Sequence, residues 1–360
     1  MSDTQGESGR RLDFKSGGWV LLLALLAALA TAAYLALPGL LSSESQRLGD
    51  GDDPTTYGFD LSDLRVPRDL LVASGLPRDG LVALESPAVW SADQVEAWNE
   101  ENRGKYLVDA DRVIGIVIGD EARAYPLRVL NWHEIANDTL SGRPIAVTYN
   151  PLADSAVVFD RRLGDEVVSF GHSGLLYNSN LLLYDRRPDP KASTLWSQLL
   201  AKGIAGPDAG QALGVLPASV CRWGNWREAH PETTVIEPEP RWMKKYKRAP
   251  YTNYFGSDNL RFPVQPLPDD GRPLKEPVLA LRYAGETELV RLESQARAGA
   301  ETIERTVGGV SVRLGLAYPP ATYLIEAPPQ DGARVETFYA FRFAWDAIRH
   351  SSDASSAPEG

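Results

Sequence analysis

Four histidines carry most of the chemistry this chain could perform: His133, His172, His230 and His350. The first three sit in dense polar and aromatic surroundings, His133 in NWHEIAND, His172 in FGHSGLLYNSNLLLYDRR and His230 in WGNWREAHPET. A neutral imidazole is the commonest metal ligand and the usual acid–base near neutral pH. His133, Glu134 and Asp138 could supply two ligands with an acid behind them. A divalent metal held by His133, His172 and His230 is the wider version of that idea, though no complete motif supports it. An HExxH site needs a histidine where Asn137 stands. The ordinary alternative for each histidine is a ring bonded to a backbone group.

Two further stretches hold candidate groups. In VTYNPLADSAVVFDR, Asn150 and Asp154 flank a proline-kinked link between strand-like runs. Asp185, followed by Arg186, reads either as half of a buried ion pair or as an acid oriented by a base. Glycosidase chemistry needs two carboxylates at a set separation, and spacing along a chain cannot measure that. Ser155 and Ser173 lack a nucleophile-elbow context, and there is no phosphate loop or dinucleotide fingerprint.

The elements that must position these groups are short. Ser91 with Gln94 has the spacing of a capping box and starts a helix anchored by Trp90, Val95 and Trp98. The run Val113 to Ile118 reads as a buried strand, Gly119-Asp120 as a two-residue hairpin turn, and Ala122 to Leu127 as the return. NWHEIAND gives a short helix or turn. A second hairpin turns near Leu163-Gly164-Asp165, and Asn178-Ser179-Asn180 interrupts a strand pair. Ser193 or Thr194 reads as a helix cap before Trp196. The fold class is mainly β (α+β), with short helices.

Internal similarity supports two related repeats, about 111–236 and 276–350. RVIGIVIGDEARAYPL matches PVLALRYAGETELVRL in pattern, and DTLSGRPIAVTYNPLADSAVVFD matches RTVGGVSVRLGLAYPPATYLIE. WGNWREAHPET matches FRFAWDAIRH. The second copy has Ala298 where the first has His133, and Arg349 where the first has His230. Any chemistry therefore belongs to the first copy, with the second as scaffold.

Composition sets the remaining bounds. The chain has 360 residues, 43% of them hydrophobic, and a net charge of -11. That balance argues against nucleic acid as a partner, and the basic run Arg241 to Arg248 reads as a solvated face. The single Cys221 excludes an intramolecular disulfide and reads as a buried filler. Trp19 to Leu37 is uncharged, and nineteen residues span about 28 Å as a helix, close to a bilayer core. Arg10, Arg11 and Lys15 before it, with acidic residues after it, place the N-terminus in the cytoplasm. An uncleaved single-pass anchor is favoured over a signal peptide, whose apolar core is shorter. The expected layout is a cytoplasmic stretch 1–18, an anchor 19–37, a tether 38–60, a β-rich domain 61–350 and a disordered tail 351–360.

Several blocks together, AYPL, HEIAND, SAVVFDR, SGLLYNSNLLLYDR and a Trp followed by His-Pro, resemble the bacterial exported-protein family known as domain of unknown function 3179. The resemblance runs from about Val66 to Arg349. It brings no established reaction. It implies a Cys-Pro-Leu-Cys stretch where this chain has Asn150 and Ala153, so thiol redox at that point is absent here. The expected function is a membrane-tethered extracytoplasmic binding or accessory protein at the bacterial inner membrane, serving an envelope protein or a small ligand. The alternative is a metal-dependent or histidine-based enzyme using the first repeat.

Overall fold

The computed structural model describes residues 23–27, 48–103, 105–326 and 333–355, with side chains as far as residue 350. The chain divides into two units, 1–47 and 48–360. Of the first, only the helical residues 23–27 are described, with Leu23, Leu25 and Leu26 exposed. The rest of the 19–37 anchor reading lies outside the described residues, and so does 1–18. No helix among the described residues is long and apolar enough to cross a membrane.

The second unit is β-rich. Its described strands form two eight-stranded sheets, one five-stranded sheet and a two-stranded ribbon. The five-stranded sheet centres on Phe170–Tyr177 and Asn180–Asp185. One eight-stranded sheet carries Pro277–Tyr283, Glu336–Phe341, Ser155–Asp160, Arg143–Asn150 and Ile135–Leu140 side by side. Along Arg143–Asn150, Ile145, Val147 and Tyr149 enter one core, while Ala146 enters a second core shared with the five-stranded sheet. The same alternation runs through Ser155–Asp160: Ala156 and Val158 face one way, Val157 and Phe159 the other. A period of two with both faces apolar marks a sheet buried on both sides. It is the middle layer, with the second eight-stranded sheet on its far side.

That far sheet holds Thr302–Val307, Val310–Ala317, Thr322–Ile325, Ser219–Arg222, Arg112–Ile118 and Glu121–Pro126 in this order. Each eight-stranded sheet thus takes a hairpin and a return strand from one half of the chain and a three-stranded meander from the other. At both joins one register pair is made, Ala156 with Tyr339 and Val220 with Tyr323. The two tyrosine rings lie 6.2 Å apart.

Local signals place many elements. The Ala92–Glu101 helix starts at Ser91 with a full capping box, and Val95 is its buried anchor. Ile118 pairs with Glu121 across Gly119-Asp120. Asn178 and Ser179 both take positive φ, 50° and 61°, as a tight hairpin turn requires. Three expectations fail. Ser193 and Thr194 cap no helix: Leu195–Ser197 is a strand, because it pairs with Asn180–Asp185 and Asp185 accepts from the Thr194 N–H. The 38–60 tether ends earlier, because Asp53 caps a turn that buries Tyr57, and Phe59 follows it into the core. The closing helix Arg342–Ser355 runs into the stretch read as a disordered tail.

The turn between Asn150 and Ser155 is fastened by one buried carboxylate. Asp154, at φ 41°, accepts two bonds from Arg112, at 2.8 and 3.0 Å, one from Tyr149 at 2.6 Å and one from Tyr339 at 3.1 Å. These partners come from both eight-stranded sheets. Asp154→Ala leaves the Arg112 guanidinium buried and unpaired, and is expected to lower the unfolding free energy by about 3–5 kcal/mol in urea denaturation. A loss well under 1 kcal/mol would show that the pair anchors nothing. Cys221 is 2% exposed, and burial pushes its thiol up. Iodoacetamide is therefore expected to leave it unlabelled in the native protein and to label it after unfolding, as read by mass spectrometry.

Candidate functional site

The Leu127–His133 helix begins after Pro126 and ends at Glu134. Glu134 takes a φ of 55°, a conformation that glycine favours and that costs other residues roughly 1–2 kcal/mol. The kink lets its carbonyl accept from the Tyr149 N–H at 2.8 Å, tying the helix end to the neighbouring strand. It also turns the Glu134 side chain away from the side that His133 occupies.

His172 is aimed by a β-bulge. The pairing between Phe170–Tyr177 and Asn180–Asp185 shifts register between His172 and Leu176. Ser173 Oγ accepts from the Leu175 N–H, and Gly174 sits at φ 82°. A Cβ on Gly174 would stand 2.4 Å from the Tyr57 ring and 2.6 Å from the Leu76 carbonyl. Bulges of this kind redirect a side chain beside a site. The Gly174 N–H donates to His172 Nδ1 at 3.2 Å, so the ring proton resides on Nε2. Nε2 lies 3.3 Å from Glu134 Oε2, without the alignment of a hydrogen bond.

Glu134, His172 and Asn150 line one cavity of about 480 Å³. Leu76, Leu81, Leu152, Leu176 and Phe262 make its apolar wall. Asn131, Trp132, Tyr251 and Arg261 complete its polar part. Asn150 Oδ1 accepts from the Ala153 N–H and steadies the turn, which leaves Nδ2 without a partner. Four buried polar atoms with no hydrogen-bond partner in the protein belong to this lining: Asn131 Oδ1, Trp132 Nε1, Glu134 Oε2 and Asn150 Nδ2. Burial, helped by the Glu134 charge, pushes the Tyr251 phenol up, so it stays protonated as a donor. Arg261 is exposed at this cavity and lies over Tyr251 and Tyr254, at 5.5 and 5.1 Å. The segment bearing these residues is held by Lys275, which donates to the Tyr254, Ser257 and Asn259 carbonyls, and by Tyr254, which donates to the Leu152 carbonyl.

The other expected residues serve the frame. His133 has both ring nitrogens engaged, Nδ1 with the Val82 carbonyl at 2.7 Å and Nε2 with Tyr246 Oη at 2.8 Å, and burial pushes its pKa down. Asp138 pairs with Arg123 and accepts from Tyr125. Asp185 accepts from the Thr194 N–H, Trp196 Nε1 and Arg187, so its ion-pair partner is Arg187, not Arg186. His230 ends the Trp223–Ala229 helix and packs on Trp226 at 4.1 Å. The shared three-histidine metal site is not formed: among the described residues no group of three or more His, Cys, Asp or Glu converges to hold an ion. Five carboxylates of the first half, Glu134, Asp138, Asp154, Asp160 and Asp185, are candidates for the glycosidase pair, and they do not share this cavity either. Asp160 pairs with Arg143, and of the set only Glu134 lines the cavity.

Sequence reasoning missed Asn131, Trp132, Tyr251 and Arg261. The first two lie inside NWHEIAND, whose polar and aromatic density was a usable signal. Tyr251 and Arg261 lie in a stretch with no motif, and reach the cavity through tertiary packing alone. Of the two positions where the resemblance implies cysteines, 150 lines the cavity and Ala153 is fully buried.

No curated protein and no solved structure matches the chain. The family model described as "Protein of unknown function (DUF3179)" matches residues 78–351, well over half of the 360 residues. The match covers all of the Glu134–His172 cavity lining except Ser74 and Leu76, and most of all three sheets, and the chain belongs to this family.

Proposed function

We propose that this is a small-molecule-binding protein of the bacterial cell envelope, tethered through residues 19–37, with the Glu134–His172–Asn150 cavity as its ligand site. One observation carries the reading. Nine buried side-chain polar atoms among the described residues lack a partner, and four of them belong to the lining of this cavity. An unpaired buried polar group costs about 1–3 kcal/mol, so such a concentration is expected where a ligand or water completes the bonds. The volume suits a small ligand, and the mixture of an apolar wall with a few convergent polar groups is the usual make-up of such sites.

The two halves of the chain, read as copies of one unit, point to the same residue. Their hairpin strands have seven and six residues in each half, and the next two strands six and eight. On the alignment that puts His133 opposite Ala298, Glu134 falls opposite Gly299, which also takes a positive φ, of 84°. The second copy meets that backbone demand with glycine. The first keeps a strained glutamate, and strain held at one residue is a mark of function. In this reading the second copy is scaffold.

A second reading follows from the contact between His172 and Glu134. An imidazole whose tautomer is fixed by a backbone N–H, beside a carboxylate that faces a cavity, can pass a proton to or from a bound molecule. That is the histidine-based enzyme of the alternative, without a metal in the argument.

The test is a trade of stability against binding. Glu134→Gly relieves the positive φ and removes an unpaired buried carboxylate, so unfolding free energy is expected to rise by about 1 kcal/mol. The same variant should abolish the change in tryptophan fluorescence that a metabolite library produces in the wild type through Trp132, with Trp132→Phe as the control. A Glu134→Gly protein that is less stable and still binds its ligand would place Glu134 in the scaffold and sink the proposal. Turnover of a bound compound that is lost in His172→Gln would favour the enzyme over the binding protein.

A further inference from the structure

We infer that the cavity takes a small zwitterion with an apolar side chain, an amino acid or a close analogue, with its ammonium at Glu134 and its carboxylate at Arg261. This deepens the ligand-binding reading and rests on it. Glu134 is 4% exposed, and its Oε2 forms no hydrogen bond within the protein. Its neighbour His172 accepts the Gly174 N–H at Nδ1, which leaves Nε2, 3.3 Å from Glu134 Oε2, as its donor. A buried carboxylate in that position favours a ligand that brings the missing positive charge. Asn131 Oδ1 adds a second open acceptor. An ammonium has three donors and no acceptor, which matches two acceptors of the lining residues that have no protein partner. The lining also includes the Trp132 and Tyr251 rings, whose faces suit a cation.

The opposite charge is also present. Arg261 forms no ion pair among the described residues and is kept in place by the faces of two tyrosines. Glu134, Tyr251 and Arg261 line the same cavity, and Arg261 lies 5.5 Å from the Tyr251 ring. A guanidinium presents a fork that fits a carboxylate. Trp132 Nε1 and Asn150 Nδ2 are open donors for the same ligand. A neutral polyol would leave both charges unmatched, and a simple carboxylate would meet Glu134 with like charge.

Isothermal titration of the full chain in detergent tests this with four probes: L-leucine, 3-methylbutylamine, 4-methylpentanoate and glycerol. L-leucine is expected to bind best, the amine more weakly, and the other two not at all. Glu134→Gln should weaken leucine and the amine together, by at least about tenfold. Arg261→Gln should bring leucine down to the affinity of the amine and leave the amine unchanged. The inference is overturned if 4-methylpentanoate binds as well as leucine, if Arg261→Gln weakens both probes equally, or if none of the four binds. A neutral compound from the metabolite library that binds while leucine and the amine do not would overturn the zwitterion and leave the binding site standing. Silence of the whole library would remove both.

Discussion

The buried pair of Asp154 with Arg112 is the contact on which the rest of the site depends. It sits where three strands from two sheets approach: Arg112 enters from the far sheet, Tyr149 and Tyr339 from the middle one. A carboxylate in that place has every one of its strong acceptor directions taken. The turn from Asn150 to Asp154 cannot move without unpairing a buried charge, so its backbone becomes a fixed platform. The Phe341 N–H donates to the Ala153 carbonyl and Tyr254 to the Leu152 carbonyl, and both bonds need the turn to stay where Asp154 holds it. From there Asn150 and Leu152 face the cavity, and the segment of Tyr251 and Arg261 is carried beside it.

Unpartnered polar atoms gather at the cavity, while five others among the described residues are scattered through the rest of this unit. A second buried network, Ser155, Gln198, Asn180 and Thr148, links the middle and five-stranded sheets, with each member bonded to another. Such a closed network specifies the packing of two layers and offers nothing to a ligand. At the cavity the opposite holds. Glu134 is strained, its carboxylate oxygen Oε2 is open, and the amide and indole atoms around it have no protein partner. The unpartnered atoms are buried like those of the network, although Asn131 and Trp132 as residues are only half-buried. The bond count sets the cavity apart from that network.

The sequence made the local elements legible and the site only in part. Gly119-Asp120, Ser91 with Gln94, and Asn178-Ser179 each act within a few residues, and turn and cap chemistry is local by nature. Leu195–Ser197 was misread because a Ser-Thr pair before a tryptophan fits a cap as well as a strand, and strand pairing decided it. The histidines show the same limit at the level of chemistry. His133 and His172 both stand in polar, aromatic runs. One is closed on both nitrogens by Val82 and Tyr246, while the other is turned by a bulge toward Glu134. A bulge depends on Gly174 approaching Tyr57, far away in the chain, and no pattern around His172 reports it. Arg261 was invisible for the same reason.

The stretch from Asn150 to Asp154 shows how one turn can keep its shape while its chemistry changes. The resemblance places cysteines at 150 and 153, and this chain has Asn150 and Ala153 there. Asn150 Oδ1 accepts from the Ala153 N–H, so the side chain now braces the turn from within. Ala153 is small enough to be fully buried there, and its carbonyl still holds the Phe341 N–H. Asp154 fixes the end of the turn through Arg112, whatever occupies the two earlier positions. The turn is thus held here without either thiol, and position 150 brings an amide donor to the cavity. A soft, redox-capable group at position 150 would suit metal or disulfide chemistry. A hard amide beside Glu134 and His172 suits recognition by hydrogen bonds, and this difference argues for binding as the function of this chain.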